Sequence, residues 1–88
     1  MKSELTIDQY GTKVWKLPNG IWHREDGPAV VYPNGFKCWY INGLRHRENG
    51  PAIEYGNGIK KWYLSGIEYT EQHYKYKMRS IKLAKLLK

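Results

Sequence analysis

The tripeptide His-Arg-Glu occurs twice in this sequence, as His23-Arg24-Glu25 and again as His46-Arg47-Glu48. An imidazole beside a carboxylate can move protons and an arginine can hold a phosphate, so each copy is a candidate acid–base or phosphate site. A catalytic site is normally one constellation rather than one per repeated segment. We therefore favour a structural interpretation, in which the arginine pairs with a carboxylate or stacks on Trp39 or Trp62 and the histidine packs beside a turn.

Other residue combinations that could bind a metal have ordinary explanations. The segments Glu25-Asp26-Gly27-Pro28 and Glu48-Asn49-Gly50-Pro51 are typical of turns, in which an Asp or Asn side chain bonds its own backbone. The cysteine and the histidines lack the short paired spacings of zinc sites; these residues are Cys38, His23, His46 and His73. Nucleophile elbows, phosphate-binding glycine loops and His-Glu-x-x-His motifs do not occur. The sequence predicts a protein that is not an enzyme, with no metal and no cofactor.

The elements that position these residues belong to a repeat. Residues 20–42 and 43–65 are identical at 13 of 23 positions, and partial copies flank them, so the array spans 10–69. In each unit, β-favouring runs alternate with pairs such as Asn42-Gly43 and Ser65-Gly66, which suit tight hairpin turns. This predicts a mainly β fold, an antiparallel meander of 23-residue hairpin units that stack on one another. The recurring scaffold residues are His23, Arg24, Gly27, Pro28, His46, Arg47, Gly50 and Pro51.

The recurring pattern resembles a known family. The run Trp39-Tyr40-x-Asn42-Gly43-x-x-His46, continued by Gly50, Tyr55 and Asn57-Gly58, is similar to the MORN repeat. The longer form, His-Arg-Glu-x-Gly-Pro-Ala with Trp-Tyr-x-x-Gly, looks like a repeat type seen in bacteriophage and large-virus proteins. The resemblance covers about residues 10–70 and implies an extended antiparallel β array with scaffold or binding duties.

Residues 70–88 differ from the array and predict a basic helix. Thr70 can cap the first turn, Glu71 suits the positive end of the helix dipole, and no glycine or proline follows. Helical spacing gives two apolar stripes, of which one would cap the β array and the other would stay exposed as a partner or dimer surface. The first stripe is Tyr74, Met78 and Ile81, and the second is Tyr76, Ser80, Leu83 and Leu87. Strict alternation over 74–79 leaves a last β-strand as the alternative.

Length and composition set further limits. The chain has 88 residues, which predicts one domain over 1–88 with a modest core. Its net charge of +7 is uneven, because the array is nearly neutral while the tail is basic and has no acid after residue 73. The basic residues of the tail are Lys75, Lys77, Arg79, Lys82, Lys85 and Lys88. One cysteine excludes an internal disulfide, and no stretch fits a signal peptide or a membrane span, so we expect a cytoplasmic protein.

The sequence favours a protein-binding module. A single-layer array cannot bury all of its aromatic side chains, and a large exposed aromatic area marks an interface. The predicted binding residues are Trp22, Trp39, Trp62, Tyr40 and Tyr63. Together with the resemblance, this predicts a small phage or viral accessory protein that engages or inhibits a host protein in the host cytoplasm.

Nucleic-acid binding is the alternative function. The basic tail, with Tyr74 and Tyr76 interleaved, could contact phosphates and stack on bases, and the same helix could contact a membrane surface. Lys13, Lys37 and Lys60 occupy equivalent positions and would form a ladder along one sheet face. The features that break the repeat are the further functional candidates; they are Trp22, Cys38 and the basic helix at 74–88.

Overall fold

The computed structural model of this chain describes residues 2–87, and within them nine short β-strands precede one helix. The elements are β1 Glu4–Ile7, β2 Lys13–Lys16, β3 Val30–Val31, β4 Lys37–Cys38, β5 Tyr40–Ile41, β6 Leu44–Arg45, β7 Ile53–Glu54, β8 Lys60–Leu64, β9 Ile67–Tyr69 and α1 Glu71–Leu86. Strand β1 precedes the array of residues 10–69, and the sequence analysis did not predict it.

Seven strands form one antiparallel sheet in the order β1-β2-β3-β4-β7-β8-β9, and β5 pairs with β6 in a separate hairpin. The chain leaves the large sheet at Trp39, between β4 and β5, and returns at β7. Trp39 nevertheless contributes to the pairing, because its N–H donates to the Ala52 carbonyl at 2.7 Å. The predicted fold class, mainly β and antiparallel with a C-terminal helix, is confirmed.

The predicted tight turns have the backbone conformation that their residues favour. Asn42 and Gly43 have φ values of 51° and 80°, and Ser65 and Gly66 have values of 51° and 84°. A type I′ turn requires positive φ at both central residues, and its twist matches that of the two strands it joins. These turns close the β5–β6 and β8–β9 hairpins.

The two faces of the large sheet carry different side chains. Residues directly opposite each other in antiparallel strands point to the same side, so the register defines each face. One row crosses the strands as Lys13, Val31, Lys37, Glu54 and Lys60, and we call its side the lysine face. The neighbouring row is Val14, Val30, Cys38, Ile53 and Lys61, and we call its side the tyrosine face, since Tyr40, Tyr55 and Tyr63 extend it. The three predicted ladder lysines, Lys13, Lys37 and Lys60, therefore lie on one face, with Val31 and Glu54 between them across the strands.

The core is small and is divided between the two faces. On the tyrosine face, Val30, Cys38 and Ile53 are buried beneath partly buried aromatic side chains. On the lysine face, Leu64 packs against Tyr74 and Met78 of the helix. The molecule measures 45 × 33 × 17 Å, so the sheet is a single layer with the helix lying on part of one side.

Helix α1 begins after Thr70, whose hydroxyl accepts a hydrogen bond from the His73 N–H at 3.2 Å. This is the predicted cap, and it satisfies one of the backbone donors that the first helical turn leaves free. The segment 74–79 is therefore helical and is not a last strand. Within residues 2–87, no helix combines the length and the apolar character that crossing a membrane requires.

The two predicted stripes of the helix have different surroundings. Tyr74 and Met78 of the first stripe are buried against the sheet. In the second stripe, Tyr76 and Leu83 are 70% and 55% exposed. The end of the tail at Lys88, which was predicted to belong to the basic set, lies outside the described residues.

Candidate functional site

The guanidinium groups of the two arginines in the His-Arg-Glu segments lie over tryptophan rings on the lysine face. The Arg24 guanidinium carbon is 3.8 Å from the centroid of the Trp15 ring, and that of Arg47 is 3.9 Å from the Trp39 centroid. A guanidinium at this distance is attracted by the negative face of the ring. The predicted stacking on Trp39 is confirmed. The prediction for Trp62 is wrong, because each arginine reaches the tryptophan that precedes its own unit.

Hydrogen bonds fix each guanidinium in its stacked position. Arg24 Nε donates to Asp26 Oδ1 at 2.9 Å, and Arg47 Nε donates to Asn49 Oδ1 at 3.2 Å. The Nη1 atoms donate to the carbonyls of Pro28 and Pro51, at 3.2 and 3.1 Å. The side chains of Asp26 and Asn49 thus accept from the arginines. For Asp26, the Arg24 hydrogen bond and, more weakly, the residue's own backbone N–H lower the pKa of the carboxyl, so the predicted bond to its own backbone is present at Asp26.

The glycine of this motif makes room for the guanidinium. A Cβ atom at Gly27 would lie 2.9 Å from Arg24 Cζ, and one at Gly50 would lie 2.9 Å from Arg47 Cζ. This is closer than real Cβ contacts, so any side chain here would force the guanidinium to shift from this position. The spacing Arg-x-x-Gly-Pro thus has a structural reason. The glycine leaves space for the guanidinium, and the proline carbonyl accepts a hydrogen bond from it.

Both histidines have their ring nitrogens engaged within the fold. His23 Nδ1 accepts from the Asn42 N–H at 2.9 Å, and His46 Nδ1 accepts from the Ser65 N–H at the same distance. An Nδ1 that accepts must be unprotonated, which assigns the ring proton to Nε2 in this conformation. Nε2 then donates to Glu25 in the first copy at 3.2 Å, and the second copy is bonded likewise. Neither histidine has a nitrogen left to take a proton from a substrate.

Cys38, a candidate because it breaks the repeat, belongs to the core of the tyrosine face. It is 3% exposed, and burial raises the pKa of its thiol. A protonated, buried thiol is a weak nucleophile and a poor metal ligand. In the described part of the chain, no group of three Cys, His, Asp or Glu side chains is placed to hold a metal ion.

Three of the five predicted binding residues form a row on the tyrosine face. Trp22 meets Tyr40 edge to face with the ring centroids 5.3 Å apart. The Arg45 guanidinium lies between Tyr40 and Tyr63, at 6.0 and 5.4 Å from the two ring centroids. Across the sheet, Glu68 of β9 lies directly opposite Tyr63. We call Trp22, Tyr40, Arg45 and Tyr63 the aromatic row.

A second group of aromatic side chains lies on the same face. Phe36 is 5.3 Å from Tyr32 and 5.0 Å from Tyr55, measured between ring centroids. These rings pack over the buried Val30, Cys38 and Ile53 and take the place of a second layer. The helix packs on the opposite side, so strands and turns alone supply this surface within residues 2–87.

Trp39 and Trp62, the other two predicted binding residues, lie on the lysine face and are partly covered. Arg47 covers Trp39, as described above, and the helix cluster of Leu64, Tyr74 and Met78 packs against Trp62. The arginine positions 24 and 47 are 23 residues apart, and the next equivalent position is Thr70, the cap of α1. The helix therefore covers Trp62 at the place where an arginine covers the two earlier tryptophans.

Tyr74, which lies in the contact between α1 and the sheet, is not free to stack on a base. Tyr74 donates its hydroxyl proton to the Arg47 carbonyl and accepts from the Gly50 N–H at 3.3 Å. Burial raises the pKa of this phenol. The prediction that Tyr74 stacks on nucleic acid is wrong, whereas Tyr76 is exposed on the helix.

The basic side chains of the helix have unequal surroundings. Lys75 pairs with Glu71 and Lys85 pairs with Glu48, each at 3.2 Å. Hydrogen bonds from His46 and then Lys85 lower the pKa of the Glu48 carboxyl. For Lys77, Arg79 and Lys82, no carboxylate among residues 2–87 comes within 4.0 Å. The last two line a groove beside Trp62.

Arg45 is a site residue that was not among the predicted binding residues. Its signal is present, because position 45 is equivalent to Trp22 and is one of the positions at which the two units differ. No known protein family, curated protein or solved structure matches this chain significantly. The resemblance to MORN-type repeats therefore stays a prediction from the sequence pattern.

Proposed function

We propose that this chain is a non-enzymatic protein-binding module that works through its tyrosine face. The observation that carries the proposal is the aromatic row, in which a 36% exposed Trp22, two half-buried tyrosines and an exposed arginine are contiguous. Trp, Tyr and Arg are the side chains most enriched at the energetic centres of protein interfaces. Tyrosine and tryptophan also provide a large contact area with few rotatable bonds to restrict on binding.

The electrostatics of this face suit a protein partner better than a polyanion. Lys61 and Glu68 lie 3.9 Å apart, and Arg45 is held over its two tyrosine rings. Opposite charges at the rim of an apolar patch orient a partner without strong attraction for phosphate. The resemblance to repeats of phage and large-virus proteins supports a viral accessory role, in which a host protein is engaged or inhibited in the host cytoplasm.

The test is affinity capture after nuclease treatment, with the captured proteins identified by mass spectrometry. The expected result is one protein that survives moderate salt and is lost with Trp22→Ala and with Arg45→Ala. Lys37→Ala, an exposed change on the opposite face, is the matched control and should retain the partner. Equal capture by all three variants, after circular dichroism shows that they are folded, would overturn the assignment of this face.

Nucleic-acid binding is the second candidate, and the lysine ladder favours it. Lys13, Lys37 and Lys60 are exposed and share one side of the sheet, where they would lie along a phosphate backbone. The measurement is the salt dependence of binding to a labelled single-stranded oligonucleotide, with a log–log slope of about −0.7 per phosphate neutralised. The double change Lys13→Gln and Lys37→Gln should reduce this slope, and an unchanged slope would remove the candidate.

A further inference from the structure

A groove of about 720 Å³ is lined by helix α1, the loop 48–51 and strand β8. Its β wall is formed by Lys60 and Trp62, and its helix wall by residues between Glu71 and Leu86. The groove belongs to the lysine face and does not touch the aromatic row. It lies beside the contacts that α1 makes with β8 and β9 and with the loop, where Tyr74 bonds Gly50 and Lys85 pairs with Glu48.

The charges around this groove are not balanced. Lys60, Arg79 and Lys82 line it, and none of them has a carboxylate within 4.0 Å among residues 2–87. The two acids at its rim, Glu48 and Glu71, are already paired with lysines of the helix. The groove therefore presents three positive side chains without a direct ion pair, although Glu54 lies opposite Lys60 in the sheet, and its occupant should be acidic.

The apolar part of the groove is mainly aliphatic. Leu83 is 55% exposed and Leu86 is 80% exposed, and both line the groove together with Met78. The two rings that reach it are engaged, because Trp62 packs in the helix cluster and Tyr74 hydrogen-bonds the Arg47 and Gly50 backbone. Bases stack on free aromatic faces, whereas aliphatic side chains suit leucine-like partners. The lining therefore favours a peptide over a nucleic acid.

The neighbouring backbone decides how a peptide would be held. Strand β8 pairs with β7 on one side and with β9 on the other, so it has no open edge to which a strand could add. The occupant must be recognised by side chains, as an amphipathic helix or turn in a groove is.

We propose that this groove binds a short acidic peptide segment with leucine-like anchors. Carboxylates of the peptide pair with Lys60, Arg79 and Lys82, and its aliphatic side chains pack on Leu83 and Leu86. The site adds to the proposed function, because it lies on the other face and names the chemistry of its ligand. A single partner could occupy both faces only by wrapping around the edge of the sheet.

The test uses fluorescein-labelled synthetic peptides of about twelve residues, rich in Glu and Asp, with leucines at helical spacings varied across the set. Anisotropy titrations of the full chain should find at least one peptide that binds. Arg79→Gln combined with Lys82→Gln should weaken it about tenfold or more. The matched control is Lys13→Gln with Lys37→Gln, which removes the same charge outside the groove and should change affinity by no more than about threefold in physiological salt.

The other outcomes decide against the proposal. Equal weakening by the two double variants, or undiminished binding of a peptide whose leucines are replaced by serine, would show attraction of charge alone. An oligonucleotide of equal charge that competes more strongly than the peptide would assign the groove to nucleic acid. Failure of every peptide at about 100 µM would also refute it, since grooves of this kind bind more tightly. Trp22→Ala should leave peptide binding intact, so the two faces are tested independently.

Discussion

Replacing Arg47 with alanine should destabilise the protein more than replacing Arg24, although the two arginines are equivalent in the sequence pattern. Both stack on a tryptophan and both donate to a proline carbonyl. They differ in their remaining partners. Arg47 also donates to the Glu54 carboxylate at 3.1 Å, where the side chains are 22% and 31% exposed.

The contacts give the size of each effect. For Arg47, the stack contributes about 1 kcal/mol, the bond to the Pro51 carbonyl about 1 kcal/mol and the half-buried Glu54 pair about 1 kcal/mol, while the exposed bond to Asn49 adds little. We therefore expect Arg47→Ala to lower the free energy of unfolding by about 3 kcal/mol. Arg24 keeps only the stack and the bond to Pro28 as protected contacts, for about 2 kcal/mol, because Asp26 lies in solvent and its pair adds little.

Urea unfolding followed by circular dichroism measures both values. A loss of about 3 kcal/mol is a large share of the stability of so small a domain, so the Arg47 variant should unfold at a much lower urea concentration. Arg47→Lys keeps the charge near Glu54 but has no planar group for the ring, and should recover less than half of the loss. If Arg24→Ala costs as much as Arg47→Ala, or if both cost under about 0.5 kcal/mol, the reasoning is wrong.

Three further predictions concern single side chains. Tyr74→Phe removes two hydrogen bonds and should cost about 1 kcal/mol without lowering helix content, and an unchanged melting temperature would contradict the role of the hydroxyl. The folded state lowers the Glu48 pKa below its ordinary 4.5, so its pairs with His46 and Lys85 stabilise above that value and are lost as pH falls through the lowered one. The urea midpoint of Glu48→Gln should therefore differ from that of the native chain at about pH 6, and the difference should shrink as the pH falls below 4.5; a constant gap would contradict this. Cys38 should resist a thiol reagent until urea unfolds the chain, and rapid labelling of the folded protein would show that the core assignment is wrong.

More of the fold than of the candidate site could be predicted from the sequence. The turn at Asn42-Gly43 and the cap at Thr70 were predicted because each depends on the conformational preference of a few neighbouring residues. The predicted binding set combined Trp39 with Tyr40, which the structure places on opposite faces. Successive side chains of a strand alternate, so this separation could have been predicted from their adjacency alone.

The grouping of residues across units could not be predicted in the same way. Nothing local to Arg24 or Arg47 tells which tryptophan it covers, since that depends on which strands pair and in what register. Arg45 joins Tyr40 to Tyr63 for the same reason, because it lies directly opposite the first and beside the second. The contacts of Arg24 with Trp15 and of Arg47 with Trp39 each cross from one unit to the next.

The amino-acid sequence by itself determined the 23-residue recurrence, the positive-φ turns, the antiparallel β class and the basic helix with its buried stripe. Each of these follows from local preferences and from side-chain periodicity, which a short window of residues contains. The tertiary structure alone decided that the three predicted interface residues on the tyrosine face form one row, that Trp39 and Trp62 are partly covered, and that a cationic groove lies beside the helix. Those outcomes depend on strand register and on where the helix packs, and both are fixed by contacts between segments that are distant in sequence.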